Sequence, residues 1–194
     1  ARRAASAALA ACMMFSLSAP ALAASTDALL QQSTAAKSAV SVLDEENGMM
    51  AEPEYQMNLK YGSITVYIGD DGKQYTKQGD NEAQQSGNLY ITTDGSTTTN
   101  TLTIQGGTTG AKVTLSNVNI NASGAAVSVS GNVELVIEGK NILQSGTDHA
   151  GVEKADDDGT LTISGPGTLE AYGGYSGAGI GSGSEKGCSN IVIE

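Results

Sequence analysis

The stretch Gly131-Asn132-Val133-Glu134-Leu135 decides the fold, because its pattern returns along the chain. A small or polar residue, followed by Asn or Thr, precedes an apolar-x-apolar triplet. Related units are Gly87-Asn88-Leu89-Tyr90-Ile91, Lys112-Val113-Thr114-Leu115, Gly159-Thr160-Leu161-Thr162-Ile163 and Ser189-Asn190-Ile191-Val192-Ile193. The triplets thus begin at Leu89, Val113, Val133, Leu161 and Ile191, at similar but unequal intervals.

A repeat of this length, built from short alternating strands, predicts an all-β fold, a parallel β-solenoid. Each strand would pair with the strand one full turn later, at about 4.8 Å. An antiparallel Ig-like sandwich is the competing fold, since it also has short alternating strands. The irregular spacing favours the solenoid. The apolar residues predicted to stack inward as ladders are Val113, Leu115, Val133, Leu135, Leu161, Ile163, Ile191 and Ile193.

Three stretches carry a resemblance to a known family. They are VTLSNVNINASGAAVSV over 113–129, VELVIEGKNIL over 133–143 and GAGIGSG over 177–183. From Gly87 to Glu194 the chain resembles right-handed β-helix modules of Gram-positive surface proteins. Among these is a clostridial carbohydrate-binding domain family that is similar in fold to pectate lyases. The resemblance implies a right-handed parallel β-helix that binds polysaccharide with calcium assistance, while many relatives are adhesin-like.

The first residues resemble a signal peptide, which we place at 1–23. Arg2 and Arg3 precede an apolar run that is shorter than the roughly 20 residues of a membrane span. The run ends in small residues that a signal peptidase reads, with cleavage predicted after Ala23. A lipoprotein cleavage box ending at Cys12 is the alternative. Both interpretations predict an exported protein, secreted or held at the cell surface.

Three further segments follow in the predicted organisation. Residues 24–58 are expected to be a linker or a short helical leader, partly disordered. Residues 59–86 are expected to form a hairpin-like N-terminal cap, since two alternating runs flank an Asp-Gly turn at Asp71-Gly72. Residues 87–194 are expected to be solenoid coils, incomplete at the C-terminus.

The charge balance excludes some partners. After removal of 1–23, eight Lys remain against 21 Asp and Glu, a net charge of −13 with no Arg. An acidic surface repels phosphate backbones and anionic lipids, so nucleic-acid binding and direct membrane attraction are not expected. Neutral glycans and divalent cations remain compatible partners.

A glycan contact is predicted at Tyr172, Gly174 and Tyr175. Tyrosine rings can stack on sugar faces, and glycine lets a ligand approach the backbone. The alternative is that the glycines only close a long turn that the tyrosines cover.

A calcium site is predicted at Asp156, Asp157 and Asp158. Calcium takes six to eight oxygen ligands, and a turn can supply carboxylates and carbonyls. The alternative is a solvated acidic turn, because three consecutive carboxylates cannot all point at one ion.

No catalytic residues are predicted. His149 is the only histidine, and a lone His without a placed nucleophile or second carboxylate does not make a nucleophilic site. Lys112, Lys140, Lys154 and Lys186 are scattered. A pair of facing carboxylates cannot be derived for Glu134 and Glu138, which we expect to point outward and discourage aggregation.

The predicted function is a secreted or cell-surface carbohydrate-binding module whose repetitive β-helix face meets polysaccharide. The alternatives are a non-catalytic, adhesin-like stalk and a fragment of a polysaccharide lyase.

Overall fold

A computed structural model of the chain describes residues 37–40, 54–154 and 158–194. Within them the chain is nearly all β. The predicted signal peptide (1–23), the Cys12 box and most of the predicted leader lie outside the described residues. In the described ranges, no helix is long and apolar enough to cross a membrane.

The strands form three sheets. The first sheet contains, in spatial order, β1 (Lys37–Val40), β2 (Glu54–Asn58), β6 (Asn88–Thr92), β9 (Ala111–Ser116), β12 (Val133–Glu138), β15 (Leu161–Ser164) and β18 (Ile191–Ile193). The second contains β16 (Thr168–Tyr172), β13 (Lys140–Gln144), β10 (Asn119–Asn121) and β7 (Thr97–Thr98). The third contains β17 (Ile180–Gly181), β14 (Val152–Lys154), β11 (Val127–Ser130), β8 (Leu102–Gln105), β3 (Ile64–Ile68), β4 (Gln74–Gln78) and β5 (Asn81–Gln85).

From β6 onward the chain passes from the first sheet to the second, then to the third, and back to the first. Neighbouring strands of these passes run parallel. Leu135 pairs with Val113 on one side and with Ile163 on the other, all in parallel register. The predicted parallel sheets are therefore confirmed, and the antiparallel sandwich is excluded for these strands.

The triplets that begin at Val113 and Val133 do not pair through their first apolar residues. The triplet pattern aligns Val133 with Val113, because each is the first apolar residue of its unit. In the structure Val133 pairs with Ala111, and Leu135 pairs with Val113. The true register is thus shifted by one full period of a strand, in which side chains alternate between faces. The same side chains therefore still face the core.

The core lies between the three sheets and consists of the inward apolar ladders. Val113, Leu115, Val133, Leu135, Leu161 and Ile163 are buried as predicted. Ile191 is only partly buried, and Ile193 is 67% exposed. Both lie on β18, which forms the edge of the first sheet. An edge strand has a neighbour on one side only, so the ladder is covered less well there.

Glycine precedes the triplets because the turns stack closely. Gly131 and Gly159 have φ values of 68° and 64°, a left-handed conformation that favours glycine. A Cβ on Gly131 would lie 2.6 Å from backbone atoms of Gly107. The asparagine that follows also links turns, since Asn132 Oδ1 accepts from Thr160 N at 3.0 Å. The Gly-Asn pair is thus explained by stacking of successive turns.

The hairpin predicted within 59–86 is present. β3 pairs antiparallel with β4, and β4 pairs antiparallel with β5, while β3 also joins the parallel stack through β8. The predicted leader differs from the structure in its described parts. Glu54–Asn58 forms β2, which pairs in parallel with β6, and Lys37–Val40 forms β1, which pairs antiparallel with β2.

The antiparallel strands β1, β4 and β5 lie at one end of the first and third sheets. At the N-terminal side of the stack, β1 covers the edge of β2, and β4 with β5 covers the edge of β3. The parallel strands β2 and β3 are therefore paired on both sides, and the antiparallel strands β1 and β5 form the edges at this end.

Candidate functional site

The predicted glycan contact lies in a stack of turns that connect the second sheet to the third. These turns span 99–101, 122–126, 145–151 and 173–179, and the last two are the longest. Tyr172 ends β16, while Gly174 and Tyr175 lie in the last turn. Tyr172 is 51% exposed and Tyr175 is 84% exposed. The structure therefore places two exposed aromatic rings at one end of the turn stack.

The glycines of this turn have a packing reason of their own. A Cβ on Gly174 would collide with the carbonyl group of Gly146 in the preceding turn, and one on Gly177 with the carbonyl of His149. A Cβ on Gly146 would likewise collide with the carbonyl of Ser123. Close stacking of turns accounts for the missing side chain at Gly174 without any ligand. The aromatic residues, rather than the glycine, are what the turn offers to a partner.

Tyr172 continues a polar row on the outer face of the second sheet. Asn121, Gln144 and Tyr172 are consecutive cross-strand partners. The Tyr172 hydroxyl donates to Glu170 Oε2 at 3.2 Å, and Lys140 Nζ lies 3.0 Å from Glu170 Oε1. The Lys140 hydrogen bond lowers the pKa of Glu170 most, and the Tyr172 hydrogen bond adds to it. Amide, hydroxyl and carboxylate groups thus lie next to an exposed ring.

The turn that carries His149 is braced by Glu153 and is bonded through its backbone to the last turn. Glu153 is buried, and its Oε2 lies 2.9 Å from His149 Nδ1 and accepts from Ala150 N at 3.1 Å. A carboxylate can only accept, so Nδ1 is the donor in this bond. His149 O accepts from Gly174 N at 3.0 Å, and Asp148 N donates to Tyr175 O at 2.8 Å. The turn that carries His149 therefore positions the backbone on both sides of Tyr175.

The predicted calcium turn is described only in part. Asp156 and Asp157 lie outside the described residues. The carbonyl of Asp158 accepts from Lys154 Nζ at 3.0 Å, and Lys154 is fully buried beneath the third sheet. A carbonyl that already binds an ammonium group is poorly placed to coordinate a second cation, because like charges repel. The described part of the turn therefore holds a lysine ammonium group at the Asp158 carbonyl, and the calcium prediction for Asp156 and Asp157 lies outside the described residues.

The rest of the described chain adds no metal cluster. Across 54–154 and 158–194, no group of three or more His, Cys, Asp or Glu side chains could hold a metal ion.

A second feature was missed by sequence reasoning, a cavity of about 360 Å³ on the outer face of the first sheet. Lys112, Glu134 and Thr162 are consecutive cross-strand partners there. Lys112 Nζ lies 2.7 Å from Glu134 Oε1, and both side chains are about half exposed. The sequence reveals this pair only when Leu135 is aligned with Val113, whereas the triplet pattern aligns Val133 with Val113.

Comparison of this chain with known proteins finds no relative. No family model matches the chain. No similar curated protein and no similar solved structure was found. The described residues thus define a class by architecture alone, a nearly all-β protein of three sheets with parallel stacking.

Proposed function

We propose that this chain is an exported carbohydrate-binding module, built as a right-handed parallel β-helix that presents polar rows and exposed rings to a polysaccharide. The cyclic passage through three sheets supports the solenoid. Its right hand is supported by the general rule that crossovers between parallel strands of one sheet are right-handed in about 98% of cases.

The observation that carries the binding role is the exposure of Tyr175, at 84%, and of Tyr172, at 51%, beside the row of Asn121, Gln144 and Tyr172. A tyrosine joins an apolar ring face to a polar tip, which suits the alternating C–H and hydroxyl surfaces of a sugar. Parallel strands repeat this row about every 4.8 Å, so the face suits a linear polymer.

Polysaccharide pull-down tests the proposal. The variants Tyr172→Ala and Tyr175→Ala should each weaken retention on the bound polysaccharide about tenfold, which corresponds to the loss of about 1.4 kcal/mol. Tyr61→Ala is the matched control, because Tyr61 is 56% exposed and lies in a short 3-10 helix between β2 and β3. Equal retention of all three variants and the unchanged chain would show that Tyr172 and Tyr175 do not contribute to binding.

The stalk remains the second candidate. It is favoured because close stacking of the turns accounts for glycine at positions 146, 174 and 177, with no ligand required. Failure of the protein to bind any of a panel of plant and host glycans would support the stalk over the binding module.

Export is part of the same proposal. It is supported by the Arg2-Arg3 start, the apolar run and the small residues up to Ala23. Expression of the whole gene product in a bacterial host should yield a processed protein that begins at Ala24. N-terminal sequencing of protein that retains residues 1–23 would contradict cleavage at this point.

A further inference from the structure

We propose that the Lys112–Glu134 cavity on the outer face of the first sheet is a second saccharide site, which takes a neutral sugar unit. This inference rests on the proposed function for the class of its ligand, but it concerns a different sheet and different residues. The geometry, the hydrogen-bonding capacity and the charge of the cavity each support it.

The cavity has the size and the floor of a small-ligand site. Its volume of about 360 Å³ falls within the range of about 300–1,000 Å³ that ligand pockets occupy. Three adjacent parallel strands, β9, β12 and β15, form the floor. The polar side chains that line it are those of Thr109, Lys112, Asn132, Glu134, Thr162, Ser164 and Glu194.

The Gln74 side chain fixes the backbone of Lys112 in the floor. The N–H of Lys112 donates to Gln74 Oε1 at 2.9 Å, and its carbonyl accepts from Gln74 Nε2 at 3.2 Å. On the rim, Asn132 Nδ2 donates to the Thr108 carbonyl at 2.9 Å. A floor whose groups are positioned before a ligand arrives loses less conformational freedom on binding.

The ion pair leaves unused hydrogen-bonding capacity that matches adjacent hydroxyl groups. An ammonium group has three donors, and a carboxylate has several acceptor positions. The single contact of 2.7 Å between Lys112 Nζ and Glu134 Oε1 leaves room on both groups. One sugar hydroxyl can accept from Lys112 while its neighbour donates to Glu134. The hydroxyls of Thr162 and Ser164 extend the same pattern across the floor.

The charge of the cavity selects against acidic sugars. Glu134 already pairs with Lys112, and Glu194 adds a second carboxylate to the lining, so a uronate would meet excess negative charge and would have to displace Glu134 from Lys112. The whole chain carries a formal net charge of −11, which opposes an anionic ligand as well. A neutral saccharide loses nothing to either effect.

Tyr90 extends the site along the face. It lies on β6 and pairs with Thr114 of β9, so it is one strand spacing, about 5 Å, from the strand that carries Lys112. Burial raises the pKa of Tyr90 most, and the charges of Glu54 and Glu138 raise it further. A half-buried ring flanked by carboxylates offers an apolar edge with acceptors around it. A second sugar unit can rest there while the first occupies the cavity.

Calorimetric titration with neutral and acidic tetrasaccharides tests the inference. The probes are tetrasaccharides of cellulose, xylan and mannan, with tetragalacturonate as the acidic member. Lys112→Met and Glu134→Gln should each weaken binding of the preferred neutral probe about tenfold or more. The control Lys60→Met breaks a comparable exposed pair, in which Lys60 Nζ lies 3.5 Å from Asp94 Oδ2, and should leave affinity unchanged.

The outcomes separate this site from the tyrosine turn. Neutral-probe binding that survives Tyr172→Ala and Tyr175→Ala but falls with Lys112→Met supports the cavity, and it does so even if the tyrosine proposal fails. Binding that falls with the tyrosine variants and is unchanged in both Lys112→Met and Glu134→Gln overturns the cavity and leaves the proposed function intact. Stronger binding of tetragalacturonate than of every neutral probe, or no binding of any probe, also overturns it. Unchanged melting temperatures show that each variant is folded.

Discussion

Leu135 of β12 lies directly beside Val113 of β9 in parallel register, one coil later in the chain, and both side chains are fully buried. The next strand, β15, continues the same ladder through Ile163. The outward row of Lys112, Glu134 and Thr162 depends on this register, because cross-strand partners share a face.

Removing one member of the ladder should be costly. Leu135→Ala leaves a cavity between Val113 and Ile163, so the free energy of unfolding should fall by about 2–5 kcal/mol. Urea denaturation followed by circular dichroism measures this change. Val192→Ala is the matched control, since Val192 is 43% exposed on β18 and should cost less than about 1 kcal/mol. Similar losses in both variants would mean that Leu135 is not part of a packed interior.

The stacked turns should tolerate no side chain at Gly131. Its φ of 68° costs an alanine about 1–2 kcal/mol, and the added Cβ would press on Gly107 in the preceding turn. Gly95→Ala isolates the first effect, because Gly95 has φ of 75° and an added Cβ meets nothing within 4 Å. Gly131→Ala should therefore lower the midpoint of thermal unfolding clearly more than Gly95→Ala does. Equal shifts would contradict close stacking at this corner.

The pKa of the Glu170 carboxyl should lie below 4.5, the ordinary value for glutamate. The hydrogen bond from Lys140 is the main cause, so Lys140→Met should raise the pKa of Glu170 toward the ordinary value. NMR titration of the side-chain carboxyl carbon measures both values. Since the pKa is depressed in the folded state, the favourable contribution is complete above the ordinary value. It is lost as the pH falls through the depressed one.

The same titration has an internal control. Lys60→Met removes a lysine that pairs with Asp94, not with Glu170, and should leave the pKa of Glu170 unchanged. A Glu170 that titrates at its ordinary value in the unchanged chain would show that the contact with Lys140 is absent in solution.

Calcium should not stabilise the protein. Lys154 Nζ already binds the Asp158 carbonyl at 3.0 Å, so the described part of the acidic turn holds a cation of its own. A ligand at one hundred times its Kd would add about 2.7 kcal/mol to the free energy of unfolding. Thermal unfolding with millimolar calcium and with a chelator should give the same midpoint. A midpoint that rises with calcium and falls with chelator would restore the calcium site predicted at Asp156, Asp157 and Asp158.

Much of the stacked core could be predicted from the sequence, because burial on one strand face imposes a period of two. Val113, Leu115, Leu135 and Leu161 were identified in this way and are buried. The register between neighbouring coils could not be predicted as firmly. Pairing Val113 with Val133 or with Leu135 places the same faces inward, so the apolar pattern does not distinguish the two registers.

The surfaces were harder to predict, because they depend on register and on burial that composition does not reveal. Lys112 and Glu134 come together only in the register that pairs Val113 with Leu135. Lys154 looks like a surface lysine, yet it continues an inward row after Val129 and is fully buried. β2 lacks the small residue and the Asn or Thr that precede most other triplets of the first sheet, so the pattern does not mark it as part of the stack.

Cysteine cross-linking tests the parallel stack most directly. Thr103 and Ser128 are cross-strand partners on the outer face of the third sheet, in β8 and β11. In a chain whose Cys12 and Cys188 are replaced by Ser, Thr103→Cys with Ser128→Cys should form an intramolecular disulfide on mild oxidation. The partners lie about 4.8 Å apart, within bonding range. Thr65→Cys with Ser128→Cys spans two strand spacings and should stay reduced. A reduced Thr103–Ser128 pair, or a bridge that forms only from Thr65, would contradict the stack on which both proposed binding surfaces depend.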